Sequence, residues 1–258
     1  MKAQNTMSLK YFHKDINMRI IVAPTSSYAV HMVASRILEK LLSSPNSVLG
    51  LATGKTMIPV YSELVKLVNL SKSTDLKGCH FFMLDEYMDL PFNHSETFRN
   101  YIQSHLMEPI GLNESQFNFP PVHLSDGPLQ YEETLKARGG IDLQLLGLGR
   151  NGHIGFNEPG SQKNSRTRVI KLSDDTIEAN KDQFKEIIPT HAFSMGIETI
   201  LDCRELLMLV TGKSKAQTVK YLISHYDDET CPATYLKGHP HFTLVLDPEA
   251  ASRINLNM

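Results

Sequence analysis

Short apolar runs alternate along the chain with longer stretches of helical periodicity. Residues 18–22 (MRIIV), 47–52 (SVLGLA), 81–84, 141–148 (IDLQLLGL), 193–195, 206–210 (LLMLV) and 242–246 have the length and apolar character of buried strands. Between them, residues 27–42 repeat apolar positions at Ala29, Met32, Val33, Ile37, Leu38 and Leu41, which is one face of a helix. Residues 58–70 predict a second helix, because Pro59 is tolerated in a first turn. A third is expected over 95–107 with Ser95-Glu96 as its cap, a fourth over 130–137 closed by Gly139-Gly140, and a last over 214–224. Strands separated by helices imply βαβ crossovers, hence an α/β fold with a mostly parallel sheet covered on both faces. No repeat, low-complexity tract or linker interrupts the pattern, so residues 1–258 are expected to form a single domain.

In such sheets ligands bind where strands end at their carboxyl edge, so the loops after the strands carry the candidate chemistry. Gly50-Leu-Ala-Thr-Gly-Lys-Thr56 resembles a nucleotide P-loop but has three residues, not four, before its Gly-Lys pair. The physics of the loop still holds. A strand ends, Gly54 permits an unusual backbone, and a helix begins whose amides attract phosphate. Thr53 and Thr56 add hydroxyls and Lys55 adds charge, the alternative being an ordinary polar turn. Gly147 to Gly152 satisfies G-x-G-x-x-G, yet Gly155 and Pro159 interrupt the helix it should open. Asp174 stands near the distance of the expected ribose acid, but no strand leads to it, so dinucleotide binding is not expected.

The segment 151–159 places Asn151, His153 and Glu158 after the most apolar strand. A histidine exchanges protons near neutral pH, and a nearby carboxylate fixes its tautomer. Asp85 is expected first out of the strand 81–84, where a carboxylate can act as a base on a C–H beside a carbonyl; the competing role is a helix cap. Glu86 and Asp89 read as solvated or structural. A third strand–turn–helix, Thr211-Gly-Lys-Ser-Lys215, offers Lys215 to a phosphate, with Lys213 solvated. His239-Pro-His241 is a close pair, but its proline and the following strand predict a turn, and no finger or HExxH spacing occurs, so no metal is expected.

Composition narrows the partners. Twenty-six Lys and Arg against 28 Asp and Glu leave a net charge of -2, which offers no field for nucleic acid or an anionic membrane. No apolar run approaches the roughly 20 residues of a membrane helix, and the first residues hold no apolar signal core. The three cysteines, 79, 203 and 231, lie far apart and read as reduced thiols, predicting a cytoplasmic protein.

The stretches LATGKT (51–56), LDEYMDLP (84–91), IDLQLLGLGRNGHIGFNEPGS (141–161), SRTR (165–168) and LVTGKSKA (209–216) together resemble the glucosamine/galactosamine-6-phosphate isomerase family. The resemblance covers nearly the whole chain, and the GRNGHIGFNEPG run is its specific part. It implies a Rossmann-like three-layer sandwich and a reaction in which glucosamine 6-phosphate and water give fructose 6-phosphate and ammonia without a cofactor. By that likeness His153 opens the sugar ring, supported by Asn151 and Glu158, and Asp85 moves a proton between C2 and C1. Thr53, Gly54, Lys55, Thr56 and Lys215 hold the phosphate. The sequence departs from the family at Lys55 and Met57, where a small residue and a proline are usual. It departs again at Lys181, near the place of an arginine common after the Ala179-Asn180 pair. Galactosamine 6-phosphate as substrate, a 6-phosphogluconolactonase on a related fold, and a non-catalytic sugar-phosphate sensor are the alternatives. Homo-oligomers are compatible with the likeness, and the short C-terminus predicts no elaborate effector site.

Overall fold

The structure, a computed structural model, describes residues 9–12, 18–71, 75–172, 177–178, 184 and 187–255. Its main sheet contains β1 (Leu9–Phe12), β2 (Met18–Val22), β3 (Val48–Leu51), β4 (His80–Met83), β6 (Phe117–Asn118), β7 (Leu143–Leu146), β10 (Leu206–Val210) and β11 (Phe242–Leu246). The order across the sheet is β1-β2-β11-β10-β7-β3-β4-β6. Every neighbouring pair is parallel except β1 with β2. β3, β7 and β10 are buried at every position, as strands covered on both faces must be; β3 and β10 accordingly read as unbroken apolar runs, and β7 differs only at buried Gln144. A second, antiparallel sheet holds β5 (Asp85–Tyr87), β9 (His191–Ser194) and β8 (Arg168–Lys171) in the order β5-β9-β8.

The helices follow from local signals. α1 (Ser26–Ser43) starts at Thr25, whose hydroxyl accepts from the Tyr28 amide at 3.1 Å, and buries Ala29, Val33, Ala34, Ile37 and Leu41. Each large side chain on that stripe contributes about 1.5–3 kcal/mol by leaving water. α2 (Ile58–Leu70) carries Pro59 in its first turn as expected. The helix expected over 95–107 is reorganised. Its cap is Thr97, whose hydroxyl accepts from the Asn100 amide at 3.2 Å, while the Ser95 hydroxyl donates to Glu96 instead. α3 (Phe98–Ile102) then widens into a π-turn over Gln103–Met107 and closes in α4 (Glu108–Ile110). α5 (Gly127–Ala137), α6 (Ile197–Leu201) and α7 (Ala216–Ser224) complete the described helices used below.

Two strand expectations change. The run 81–84 ends at Met83, and Asp85 is not a loop residue: it opens β5 and pairs across to Ser194. The run near 193–195 belongs to the small sheet rather than the main one. Asp174 and the segment 179–183, with Lys181, lie outside the described residues.

Topology locates the site. From β3 the chain passes through α2 to β4 on one side; from β7 it continues to β10 on the other. The connections diverge between β3 and β7, so their carboxyl ends open a crevice at a topological switch point.

Candidate active site

β10, β7, β3 and β4 are consecutive in the sheet, and each is followed by one of the four candidate segments. The sheet thus collects at one edge groups that lie far apart in the chain.

Asp85 forms the floor. It is 6% exposed, and its Oδ1 has no hydrogen-bond partner. Tyr61 and Tyr131, buried beside it, direct their hydroxyls to the carbonyls of Ala52 (2.5 Å) and Met83 (2.6 Å). Burial, with a smaller push from Glu86, raises the Asp85 carboxyl to about 8. Glu86 itself is structural. Its carboxylate accepts from the amides of Tyr87, Phe98 and Arg99 at 2.8–2.9 Å and so caps α3. Asp89 is structural too, accepting from the Thr190 and His191 amides.

The loop after β7 is laid directly on Asp85. Gly155 has φ +56, and a Cβ there would stand 3.3 Å from Asp85 Oδ2, 3.1 Å from Ser194 Oγ and 3.2 Å from Leu84 Cγ. The Phe156 amide donates to Ser194 Oγ at 3.2 Å, and the Phe156 ring packs on Tyr87 at 5.3 Å between centroids. Buried Asn157 donates to the carbonyls of Ile154 and Met195 and accepts from Arg168 at 2.9 Å. The small sheet therefore anchors this loop.

Upstream of Gly155, three side chains close a ring. His153 Nδ1 lies 3.4 Å from Glu158 Oε1, within ion-pair reach but not aligned as a hydrogen bond. Asn151 Nδ2 donates to the other Glu158 oxygen at 2.6 Å, and Asn151 Oδ1 accepts from the His153 amide at 3.2 Å. The carboxylate on this side favours a proton on Nδ1, leaving Nε2 free to accept one.

The remaining two segments offer anion donors. Gly54 has φ +98, and its carbonyl accepts from Met57 N and from the Tyr101 hydroxyl, each at 2.9 Å. Met57, at the cap position of α2, makes no side-chain cap, so the first turn leaves amides unclaimed beside half-buried Thr53 and Thr56 and exposed Lys55. Lys215 ends a single 3-10 turn, Lys213–Lys215, that leads into α7. It is half-buried, and burial, followed by the charge of Arg150, holds its ammonium below the ordinary lysine value. Arg150, Gly155 and Ser194 were not expected from sequence. A glycine flanked by bulky residues was the only hint of Gly155, and Ser194 carries no local signal.

Other features stand apart. His239 Nε2 bonds the Cys203 carbonyl at 2.8 Å in a buried turn, and no group of His, Cys, Asp or Glu among the described residues is placed to hold a metal ion. A broad cleft of about 960 Å³ opens at the opposite, amino-terminal edge, between α1 and the strands β2, β10 and β11. Within it Arg36 binds both Glu205 oxygens and Glu39, and Lys40 lies 3.6 Å from Glu205, while the buried Nε of Arg19 has no hydrogen-bond partner among the described residues. No described helix is long and apolar enough to cross a membrane.

The family model for glucosamine-6-phosphate isomerases/6-phosphogluconolactonase matches residues 24–244. The chain belongs to this family. Among its curated relatives, glucosamine-6-phosphate deaminase 1 of Giardia intestinalis is 42% identical over 229 residues, covering 86% of each chain. Glucosamine-6-phosphate deaminase of Marinomonas sp. (strain MWYL1) is 42% identical over 247 residues, covering 93% of this chain and 92% of its own. A solved monomeric glucosamine-6-phosphate deaminase superposes with a TM-score of 0.86 at 34% identity, over 91% of this chain and 99% of that one. The 6-phosphogluconolactonase from Trypanosoma cruzi, at 20% identity, TM-score 0.73 and coverage of 98% and 100%, shares the fold. The Rossmann-like α/β architecture of this family is the one seen here.

Proposed function

We propose that this chain is a glucosamine-6-phosphate deaminase, an isomerising hydrolase of amino-sugar catabolism, with Asp85 as its proton carrier. The observation that carries this reading is a buried carboxylate with an unpartnered oxygen beneath a loop that also bears His153 and Glu158. His153 takes the proton of the sugar O1 hydroxyl and returns one to the ring oxygen, opening the pyranose. Asn151 and Glu158 orient it. Asp85, ionised, removes the proton from C2 of the open aldose and delivers it to C1. The electron pair shifts onto O1, which takes up the proton given up by the C2 ammonium to form an enolamine; protonation at C1 then leaves an imine at C2. Water adds to that imine, the C2–N bond breaks, and ammonia leaves with fructose 6-phosphate as the ketose product. Thr53, Gly54, Lys55, Thr56 and Lys215 hold the phosphate, whose charge is about -1.5 to -2 at neutral pH.

All these groups come from one chain, so a homo-oligomer would support the site without completing it. The three described cysteines are free and buried, and burial raises the thiols of Cys203 to about 12 and Cys231 to about 11, which suits a reducing cytoplasm. The deciding experiment is an ammonia-coupled assay with glucosamine 6-phosphate and galactosamine 6-phosphate in parallel. Faster release from the glucosamine ester is expected. Preference for the galactosamine ester would correct the substrate, and release from neither would overturn the reading.

A further inference from the structure

We infer that Arg150 is a phosphate-binding residue that works as a pair with Lys215, and this rests on the reading of a phosphorylated sugar as substrate. The geometry comes from a tie between two loops. Arg150 is at the tip of the turn after β7, where the Gly149 amide donates to the His153 carbonyl at 2.9 Å and the Gly152 amide to the Gly149 carbonyl at 3.2 Å. The Thr218 hydroxyl of α7 donates to the Arg150 carbonyl at 2.5 Å. Lys215 precedes Thr218 by one helical turn, so both lie on the same side of the α7 amino terminus. The bond from Thr218 therefore holds the Arg150 backbone against the face that carries Lys215. The depressed ammonium of Lys215, to which Arg150's charge contributes, is consistent with that proximity.

Among the described residues, no carboxylate forms an ion pair with either cation. Elsewhere in the described structure the paired arginines sit on carboxylates: Arg36 on Glu205, Arg99 on Glu114, Arg166 on Asp202, Arg204 on Asp142. Arg150 and Lys215 have no such ion pair among the described residues, although one is half-buried and the two repel. Like charges held together at a strand-end crevice are relieved by a dianion between them. A phosphate monoester has that charge, and one lysine does not neutralise it. The guanidinium fork adds a bidentate contact that a point charge lacks. Arg150 also lies in the same turn as Asn151 and His153, so a phosphate seated on it fixes the distance from that ester to the ring-opening group.

The test uses the full-length protein with Arg150→Ala and Arg150→Lys, following ammonia release and, separately, inorganic phosphate binding by calorimetry. Arg150→Ala should raise KM for glucosamine 6-phosphate by about ten- to a hundredfold and weaken phosphate binding comparably, with kcat within about threefold of wild type. Arg150→Lys should recover part of the affinity. The exposed side chain makes a folding defect unnecessary, and an unchanged Tm in both variants checks this. Unchanged KM and unchanged phosphate affinity in Arg150→Ala would overturn the assignment. A fall in kcat alone, with affinities intact, would also overturn it. If the wild type released no ammonia, the substrate reading would fall, and the phosphate-binding comparison would still decide the role of Arg150.

Discussion

The two edges of the central sheet use the same residue types in opposite ways. At the amino-terminal edge Glu205 sits 15% exposed with Arg36 and Lys40 both within ion-pair distance of it, and Arg204 reaches Asp142 at 3.0 Å. Although burial works against ionisation there, the Arg36 hydrogen bonds hold the Glu205 carboxyl below its usual range. At the carboxyl edge Asp85 is more deeply buried and has an unpartnered oxygen, so its carboxyl rises to about 8. Arg150 and Lys215 stand there with no carboxylate partner among the described residues. A paired edge lowers the free energy of the fold; an unpaired one keeps charge available to a ligand, at a cost in stability.

The sharpest way to break the contrast is Asp85→Asn. The account expects kcat to fall by about a thousandfold or more, since Asp85 is the carboxylate assigned to C2. The same change should leave Tm unharmed or higher at pH 8. A raised carboxylate means that the folded state holds a proton the unfolded chain has lost, so stability falls as pH climbs from about 4 toward about 8. The amide removes that slope, and calorimetric scans across this window would show it. His153→Gln comes next, with an expected loss of about a hundredfold on the cyclic substrate. A pre-opened analogue should restore part of the rate; equal impairment on cyclic and acyclic forms would separate His153 from ring opening.

At the other edge, Glu205→Gln should leave kcat unchanged and cost about 1–2 kcal/mol, read from denaturant unfolding at neutral pH. Because the folded carboxyl is held low, that contribution is present above the ordinary glutamate value and fades as pH falls below about 4. Loss of turnover in this variant would show that the edges are not independent. The smallest effect is one of shape. In the wild type kcat/KM should rise with pH as Asp85 ionises, reaching half its plateau near 8 and levelling above it, and Glu205→Gln should leave that profile in place.

Much of this arrangement is legible without coordinates, for identifiable reasons. β2, β10 and β11 appear at their expected bounds because strands with mostly buried positions are written as largely apolar runs. α2 begins and ends as expected because Pro59 marks its first turn. What escapes is non-local. β5 is three residues long, and nothing in Asp85-Glu-Tyr87 announces that it pairs with a strand more than a hundred residues later. β8 alternates half-buried and exposed positions, so its only strong signal is the partner it finds. The anchoring of the His153 loop on Ser194, and the tie from Thr218 to Arg150, exist only once the two sheets are assembled. The chemistry of the loops is local; their convergence is a property of strand order.

The measurement that bears most directly on Asp85 follows one hydrogen atom. Glucosamine 6-phosphate carrying deuterium at C2 is converted in ordinary water, and the fructose 6-phosphate is examined by NMR at C1. A single sheltered carboxylate predicts that a measurable share of the deuterium arrives at C1 of the product. Product whose C1 carries only solvent hydrogen, at early as well as late turnover, would contradict it.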